Sequence, residues 1–213
     1  CAMYCADVMD LETTLKSIQK RADLMSKVKG GSMSAIIGAS EEQIRNAIKS
    51  VNGYVDIANY NSPVQIVITG DNDAVFNVCE NLKANGVKKV VPLAVSGAFH
   101  SKYMQDAGRD FETYVKDLDL NDAKIPVITN VDAEITTKAE DFRAKMPKQI
   151  YSSVHWTQTI KKMVENGVDT FIEIGSGKVL AGLTKKIITE AKIYNVSDKN
   201  SLMETVNQLT AKV

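Results

Sequence analysis

His100 is the side chain in this sequence best placed to act as a general base. It lies in Ser-Gly-Ala-Phe-His-Ser at residues 96–101, directly after the apolar segment 88–95, which we predict to be a strand. Loops that follow the carboxyl ends of strands are where α/β proteins commonly hold reactive groups. A structural role is the alternative, and the sequence alone does not separate the two. His155 stands beside Trp156 ahead of a predicted helix, which favours a capping or packing role.

A nucleophile to accompany this base is missing from the sequence. No Gly-x-Ser-x-Gly motif occurs among the 213 residues. Of the three cysteines, Cys5 and Cys79 lie in apolar helical segments, so we expect them to be packed and unreactive. An odd number of cysteines without metal-ligand spacing favours a reducing compartment, and we predict a cytoplasmic protein. With two histidines and no acidic cluster of calcium or magnesium spacing, we predict no metal site.

Two further features could bind an anion. Arg21 lies near the apolar stripe of a predicted helix, so its guanidinium is expected to be partly buried and to need a carboxylate. A surface ion pair with a neighbour such as Asp23 is the alternative. Gly-Ser-Gly-Lys at 175–178 invites a phosphate-loop interpretation, but Ile172 stands where the Walker motif needs glycine. We therefore interpret 175–178 as a tight turn between a strand and a helix.

The composition excludes several classes of protein. The chain has 26 Lys and Arg against 26 Asp and Glu, so its net charge is zero, which argues against a nucleic-acid binder. Its hydrophobic content is 44%, as in ordinary globular chains, and no apolar run reaches the length of about 18 residues that a membrane span needs. A chain of this length buries enough surface to fold without disulfides or a metal.

Hydrophobic periodicity predicts two kinds of structure. Segments 33–37, 40–50, 55–59, 64–69, 73–85 and 88–95 read as strand, helix, strand, strand, helix and strand, the order of a ferredoxin-like βαββαβ unit. Outside it, helices are predicted at 10–28, 103–118, 156–166, 178–188 and from 201, and strands at 126–130, 170–174 and 193–196. Residues 142–151 are predicted to be helical or irregular. Strand, glycine turn, helix and strand in succession are typical of a parallel α/β sheet.

The predicted fold class is therefore α/β with an insertion. A larger subdomain, formed by residues 1–29 and 96–213, is expected to surround a small ferredoxin-like subdomain at residues 30–95. The first nine residues are apolar and have no capping residue ahead of them. Our expectation is that an N-terminal portion of the protein precedes Cys1; a trimmed chain with a short buried helix is the alternative.

Several separated motifs together resemble one family, the malonyl-CoA:acyl carrier protein transacylases. The resemblance runs from Cys1 to about Ile188. It is carried by Lys-Arg-Ala-Asp-Leu-Met at 20–25, Asn-Tyr-Asn-Ser-Pro-Val-Gln at 59–65, Gly-Ala-Phe-His-Ser at 97–101, Gln149 with Trp156, and Ile-Gly-Ser-Gly-Lys-Val-Leu at 174–180. The family has a hydrolase-like α/β subdomain with a ferredoxin-like insert, so the resemblance implies the topology already predicted.

The resemblance also implies a role for each matching residue. His100 would activate a serine, and Gln149 would orient His100 through its backbone carbonyl. Arg21 would bind the malonyl carboxylate, with Asn61 lining the same pocket. Phe99 would favour malonyl over a 2-methyl-branched acyl group.

The chain departs from the family pattern at its N-terminal side. The family's serine, in Gly-His-Ser-x-Gly, and its Gly-Gln-Gly oxyanion motif would both stand before Cys1. The resemblance therefore implies that the 213-residue chain is inactive by itself and that its partner is the missing N-terminal segment of the same enzyme.

The implied function is transfer of a malonyl group from malonyl-CoA to an acyl carrier protein in fatty-acid biosynthesis, without a cofactor. The alternative is a non-catalytic module that binds acyl carrier protein or acyl-CoA. A regulatory domain built on the ferredoxin-like unit alone would leave His100 and Gln149 without a purpose. Because acyl carrier proteins are generally acidic, the lysine pairs at 88–89, 161–162 and 185–186 are candidate docking positions. No nucleic-acid or membrane partner is expected.

Overall fold

A computed structural model describes residues 1–211, which divide into two compact units, one of residues 1–159 and one that begins at residue 160. The first unit contains helices α1 (Ala2–Cys5), α2 (Leu11–Lys27), α3 (Glu41–Lys49), α4 (Asn72–Ala84), α5 (Gln105–Lys116) and α6 (Ala139–Tyr151), and strands β1 (Ser32–Ile37), β2 (Val55–Ser62), β3 (Gln65–Gly70), β4 (Lys89–Pro92), β5 (Val127–Ile128) and β6 (Ile135–Thr136). Helix α7 (Trp156–Glu165) spans the division. Strands β7 (Thr170–Ile174) and β8 (Lys192–Val196) and helices α8 (Val179–Ile187) and α9 (Lys199–Thr210) follow.

The ferredoxin-like unit is a four-stranded sheet in the order β2-β3-β1-β4, with every neighbouring pair antiparallel. Helices α3 and α4 pack on it, and the core between them is aliphatic, with Ile36, Ile44 and Ile68 fully buried. Local signals agree with this fold. Ser40 forms a capping box with Gln43 at the start of α3. In β3, every second residue, Ile66 and Ile68, packs in this core.

A second core in the first unit is formed by the longer helices. Helices α2, α5 and α6 enclose fully buried Phe142, Met104 and Ile150. Asp10 starts α2 by accepting a hydrogen bond from the Thr13 backbone N–H at 2.7 Å. This core fixes the face of α2 that carries Arg21.

The second unit has a parallel pair of strands, β7 and β8, in register from Thr170–Lys192 to Ile174–Val196. Helix α8 connects them in the order that the glycine turn predicts. Ile174 is 80% exposed, so this sheet has an apolar residue at its surface. None of the helices in residues 1–211 is long and apolar enough to cross a membrane.

The α/β class with a ferredoxin-like unit is confirmed, whereas several local predictions are wrong. Strand β4 ends at Pro92 instead of residue 95, and the two-residue strand β6 carries too little pattern to have been predicted. Helix α6 begins at Ala139, three residues before the predicted start. Cys5 is exposed instead of packed, because the four-residue α1 buries none of its own side chains. The division into subdomains 1–29 with 96–213 and 30–95 stays a prediction.

Candidate functional site

The segment that carries His100 is held by close backbone contacts. Gly97 forms a parallel bridge with Gly30, and the Ala98 N–H donates to the Gly30 carbonyl at 3.2 Å. Gly31 has φ +79°, and a Cβ atom there would lie 2.6 Å from the Ala98 Cβ, so only glycine fits without displacing the segment. These contacts leave little freedom to the loop that ends in His100.

His100 itself has a strained backbone, with φ of +55°. Left-handed conformations cost a non-glycine residue free energy and concentrate at functional sites. The next residue, Ser101, stabilises the turn because its hydroxyl donates to the Ala98 carbonyl at 2.5 Å and accepts from the Tyr103 N–H at 3.2 Å. The turn therefore fixes the direction of the imidazole.

A second chain segment orients the imidazole ring. Residues 152–157 run beside the edge strand β2, where the Tyr60 N–H donates to the Val154 carbonyl and the Val154 N–H donates to the Ala58 carbonyl, both at 2.8 Å. This pairing brings the Ser152 carbonyl oxygen to 3.0 Å from His100 Nδ1. Since a carbonyl can only accept, neutral His100 has its proton on Nδ1 and a lone pair on Nε2.

The environment favours the neutral form of His100. Burial lowers its pKa most, and the positive charge of Arg21 lowers it further; the backbone groups of Ser152 and Gln149 act in the opposite direction, Ser152 more strongly. The balance is a pKa below the ordinary value. His100 is thus neutral at pH 7, the state that a general base requires.

Arg21 is a half-buried cation that the structure leaves without an acidic partner among residues 1–211. Burial is what lowers the pKa of its guanidinium, and no carboxylate acts against that effect. Asp23, the alternative partner considered from the sequence, instead accepts a hydrogen bond from Gln19 at 2.7 Å. A desolvated guanidinium with free donors is suited to bind a carboxylate.

A cavity of about 240 Å³ in the first unit brings Arg21 and Gln149 together. Its walls are formed largely by apolar side chains, among them Phe111, Val127 and Met146. Arg21 has the one charged side chain among the described residues that line it. This combination of apolar walls and a single cation is suited to a small acyl group that ends in a carboxylate.

The other residues that the resemblance singled out, His100, Phe99 and Asn61, lie outside the lining of this cavity. Phe99 is half-buried and packs against both the helical core and a small cluster on the sheet around Met33 and Val67. Asn61 is half-buried in β2. Their predicted roles, like that of Gln149 in orienting His100, stay predictions.

A carboxylate of the chain itself caps the helix that follows the glycine turn at 175–178. The Glu173 carboxylate accepts from the backbone N–H groups of Leu180 at 3.1 Å and Ala181 at 2.7 Å, at the start of α8. An anion at this helix end would compete with a carboxylate of the chain itself. The tight-turn interpretation therefore explains 175–178 without a bound phosphate.

Sequence reasoning missed two participants in the site. Ser152 contributes a backbone carbonyl across 52 residues of chain, for which no side-chain pattern exists. Ser17 lines the cavity one helical turn before Arg21, and that spacing on α2 was the available signal. His155 is a packing residue as predicted, since its ring stacks on Tyr60 with centroids 5.2 Å apart.

Comparison with known proteins gives one consistent result. The family model described as "Acyl transferase domain" matches residues 1–203. The malonyl CoA-acyl carrier protein transacylase of Staphylococcus aureus is 38% identical over 201 residues, which is 92% of this chain and 65% of that protein. The chain therefore spans slightly less than two thirds of that relative's length.

Solved structures agree. The malonyl CoA-acyl carrier protein transacylase of Clostridium perfringens matches with a TM-score of 0.94 and 33% identity, over 99% of this chain and 68% of that one. A malonyl-transacylase solved in complex with its type II PKS acyl-carrier protein matches with a TM-score of 0.93 and 35% identity, over 97% of this chain and 69% of that one.

Proposed function

The chain belongs to the acyl transferase domain family, and from this membership we propose that it is the larger part of an enzyme that transfers a malonyl group from coenzyme A to an acyl carrier protein. The observation that carries the proposal is the cavity that holds a half-buried Arg21 without an acidic partner among residues 1–211, together with a His100 whose Nδ1 lies 3.0 Å from the Ser152 carbonyl oxygen. The positive charge of Arg21 also helps to lower the pKa of His100. The names of the relatives support malonyl as the acyl group.

In this proposal Arg21 selects the substrate. A malonyl group differs from an acetyl group by its free carboxylate, so a guanidinium without an acidic partner discriminates between them. The largely apolar walls of the cavity lower the local dielectric constant, which strengthens that interaction. Asn61 and Phe99 are proposed to contribute to the same preference, Phe99 by leaving little room for a branched acyl group.

His100 supplies base catalysis through Nε2. It takes the proton of a serine hydroxyl as the serine oxygen attacks the thioester carbonyl, and it returns a proton to the departing coenzyme A thiolate. The resulting serine ester is then attacked by the thiol of the acyl carrier protein, which takes the malonyl group and frees the serine. The Ser152 carbonyl, with the Gln149 backbone, stabilises the imidazolium formed in between.

The serine is proposed to lie in a segment of the same enzyme outside these 213 residues. Within residues 1–211, no hydroxyl or thiol is hydrogen-bonded to His100 Nε2. Loss of the nucleophile from a serine–histidine pair typically costs about 10⁶-fold in turnover, so the 213-residue chain is expected to be inactive by itself. No cofactor is required, because both thioester exchanges balance with these groups alone.

The proposed second substrate is an acyl carrier protein in fatty-acid biosynthesis. A structural relative at 35% identity was solved bound to its acyl-carrier protein, which supports a carrier as the thiol donor. The three cysteines are free, which fits a reducing cytoplasmic location.

Intact-mass measurement after incubation with malonyl-CoA tests the proposal. We expect the 213-residue chain to gain nothing, and the same chain extended N-terminally to the length of its relatives to gain one malonyl group. His100→Ala in the extended protein should abolish the gain, whereas His155→Ala should retain it. An extended protein that binds malonyl-CoA without acquiring the group would favour the non-catalytic binding module instead.

A further inference from the structure

Ser17 carries a hydroxyl that has no hydrogen-bond partner although it is buried. The residue is 5% exposed, lies in the middle of α2 and lines the same cavity as Arg21. Leaving a buried hydroxyl without a partner costs free energy, and such groups are uncommon in folded proteins. The Ser17 hydroxyl is therefore a donor available to whatever enters the cavity.

Other hydroxyls on the same helix behave differently. Thr14 donates to the Asp10 carbonyl at 2.7 Å, and Ser26 donates to the Asp23 carbonyl at 2.9 Å. Bonds of this kind, to a carbonyl three or four residues earlier, are the usual arrangement for Ser and Thr inside helices. Ser17 makes no such bond, so its hydroxyl is not used to stabilise the helix.

The position of Ser17 relative to Arg21 suggests a joint role. Residues four apart on a helix lie on the same face about 5–6 Å apart at Cβ, so the Ser17 hydroxyl and the long Arg21 side chain can both reach one carboxylate. Both line a cavity whose described lining residues include no Asp or Glu, so a bound anion meets no repulsion there. Thr14 lies on the same face, but its hydroxyl already donates to the Asp10 carbonyl.

We propose that Ser17 is a specificity-determining residue whose hydroxyl donates to the same substrate carboxylate that the Arg21 guanidinium binds. The proposal rests on the malonyl transfer proposed above and deepens it. The ligand class is a thioester whose acyl group ends in a carboxylate. Because the acceptor is charged, the hydrogen bond is stronger than one between neutral groups. An acetyl thioester offers no acceptor at this position, so Ser17 contributes to discrimination instead of general affinity.

The test is calorimetric titration, with malonyl-CoA and with acetyl-CoA, of the N-terminally extended protein whose nucleophilic serine is replaced by alanine, so that it binds both thioesters without reacting. Ser17→Ala should weaken malonyl-CoA binding about tenfold, which corresponds to about 1.4 kcal/mol, and leave acetyl-CoA binding unchanged. Ser26→Ala makes the same change at an exposed position of α2 and should leave both affinities unchanged. Arg21→Ala serves as the reference for loss of malonyl preference.

Stability distinguishes this role from a structural one. Ser17→Ala removes an unpartnered buried hydroxyl and places a better helix former in α2, so its urea midpoint should equal or exceed that of the wild type. The expected variant is thus as stable as the wild type and yet poorer at binding malonyl-CoA. Equal weakening of malonyl-CoA and acetyl-CoA binding would overturn the proposal.

Two other outcomes separate this proposal from the function on which it rests. If Arg21→Ala loses the malonyl preference while Ser17→Ala keeps it, the Ser17 proposal fails and the role of Arg21 stands. If the extended protein with Ser17 and Arg21 intact does not distinguish malonyl-CoA from acetyl-CoA, the role of Arg21 fails and the Ser17 proposal fails with it.

Discussion

Substitution of Gly31 tests how the fold holds the His100 segment. Gly31→Ala would place a Cβ atom 2.6 Å from the Ala98 Cβ and 2.7 Å from the Gly70 carbonyl oxygen, at a backbone φ of +79°. The left-handed backbone alone costs an alanine about 1–2 kcal/mol. Overpacking adds about 1–3 kcal/mol, since both contacts are with rigid parts of the structure. We expect the free energy of unfolding to fall by about 2–5 kcal/mol.

The neighbouring glycine provides a matched control. Gly30 has φ +88°, and a Cβ atom there would meet nothing within 4 Å. Gly30→Ala should therefore lower the free energy of unfolding only by the cost of the left-handed backbone, about 1–2 kcal/mol. Urea unfolding followed by the fluorescence of Trp156, the single tryptophan, measures both variants.

Because Ala98 lies two residues before His100, a clash at Ala98 should also displace the His100 ring. The His100 imidazole resonances in NMR spectra should shift in Gly31→Ala and stay in place in Gly30→Ala. Equal loss of stability in the two variants would show instead that the close approach of Gly31 to Ala98 does not constrain this loop.

Three further expectations concern charge and capping. Because burial lowers the pKa of His100, the unfolded chain takes up a proton before the folded chain as the pH falls through about 6.5. The free energy of unfolding should therefore decline between pH 7.5 and 5.5, and it should decline less in His100→Gln. The same decline in the wild type and in His100→Gln would contradict the lowered pKa. The Arg143 side chain, 24% exposed, caps the end of α5 by donating to the Val115, Lys116 and Leu118 carbonyls at 2.6, 2.9 and 3.0 Å. Arg143→Ala should therefore lower the free energy of unfolding in urea by about 2–3 kcal/mol, whereas Arg109→Ala, at an exposed position of α5, should lower it little. Equal losses in the two variants would argue against this capping role. Glu173→Ala should destabilise the second unit by about 1–2 kcal/mol, and Glu173→Gln, which keeps one acceptor oxygen, should destabilise it less. Hydrogen exchange of the α8 amides measures this loss, and equal protection of these amides in the wild type and in Glu173→Ala would show that Glu173 does not cap α8.

The ferredoxin-like unit was predictable because each of its elements carries local signals. Ser40 with Gln43 marks the start of α3, and Gly86 follows the end of α4, so the borders agree closely with the sequence interpretation. Strand β6 could not be predicted in the same way. Two residues, Ile135 and Thr136, carry no periodicity, and their pairing with β5 depends on the chain around them.

The candidate site was predictable only where a side chain itself does the chemistry. His100 and Arg21 were found because their residue types are unusual in their surroundings: a histidine among small residues and an arginine on an apolar stripe. The Ser152 carbonyl was not found, because any residue at position 152 presents a carbonyl and the contact spans 52 positions. Ser17 was missed because a serine among polar neighbours on a helix resembles a surface residue until the burial of its hydroxyl is known.

The most direct test of the central claim is the donor preference of the N-terminally extended enzyme and its Arg21→Ala variant. Relative kcat/KM values for malonyl-CoA and acetyl-CoA, with an acyl carrier protein as acceptor, give the preference. Two charge-assisted hydrogen bonds, reduced for the half-exposure of Arg21, contribute about 2–3 kcal/mol. We therefore expect the malonyl-to-acetyl ratio of kcat/KM to fall about 30- to 150-fold in the variant. Equal relative losses for the two donors would contradict it, since Arg21 would then act on the fold or on coenzyme A instead of on the malonyl carboxylate.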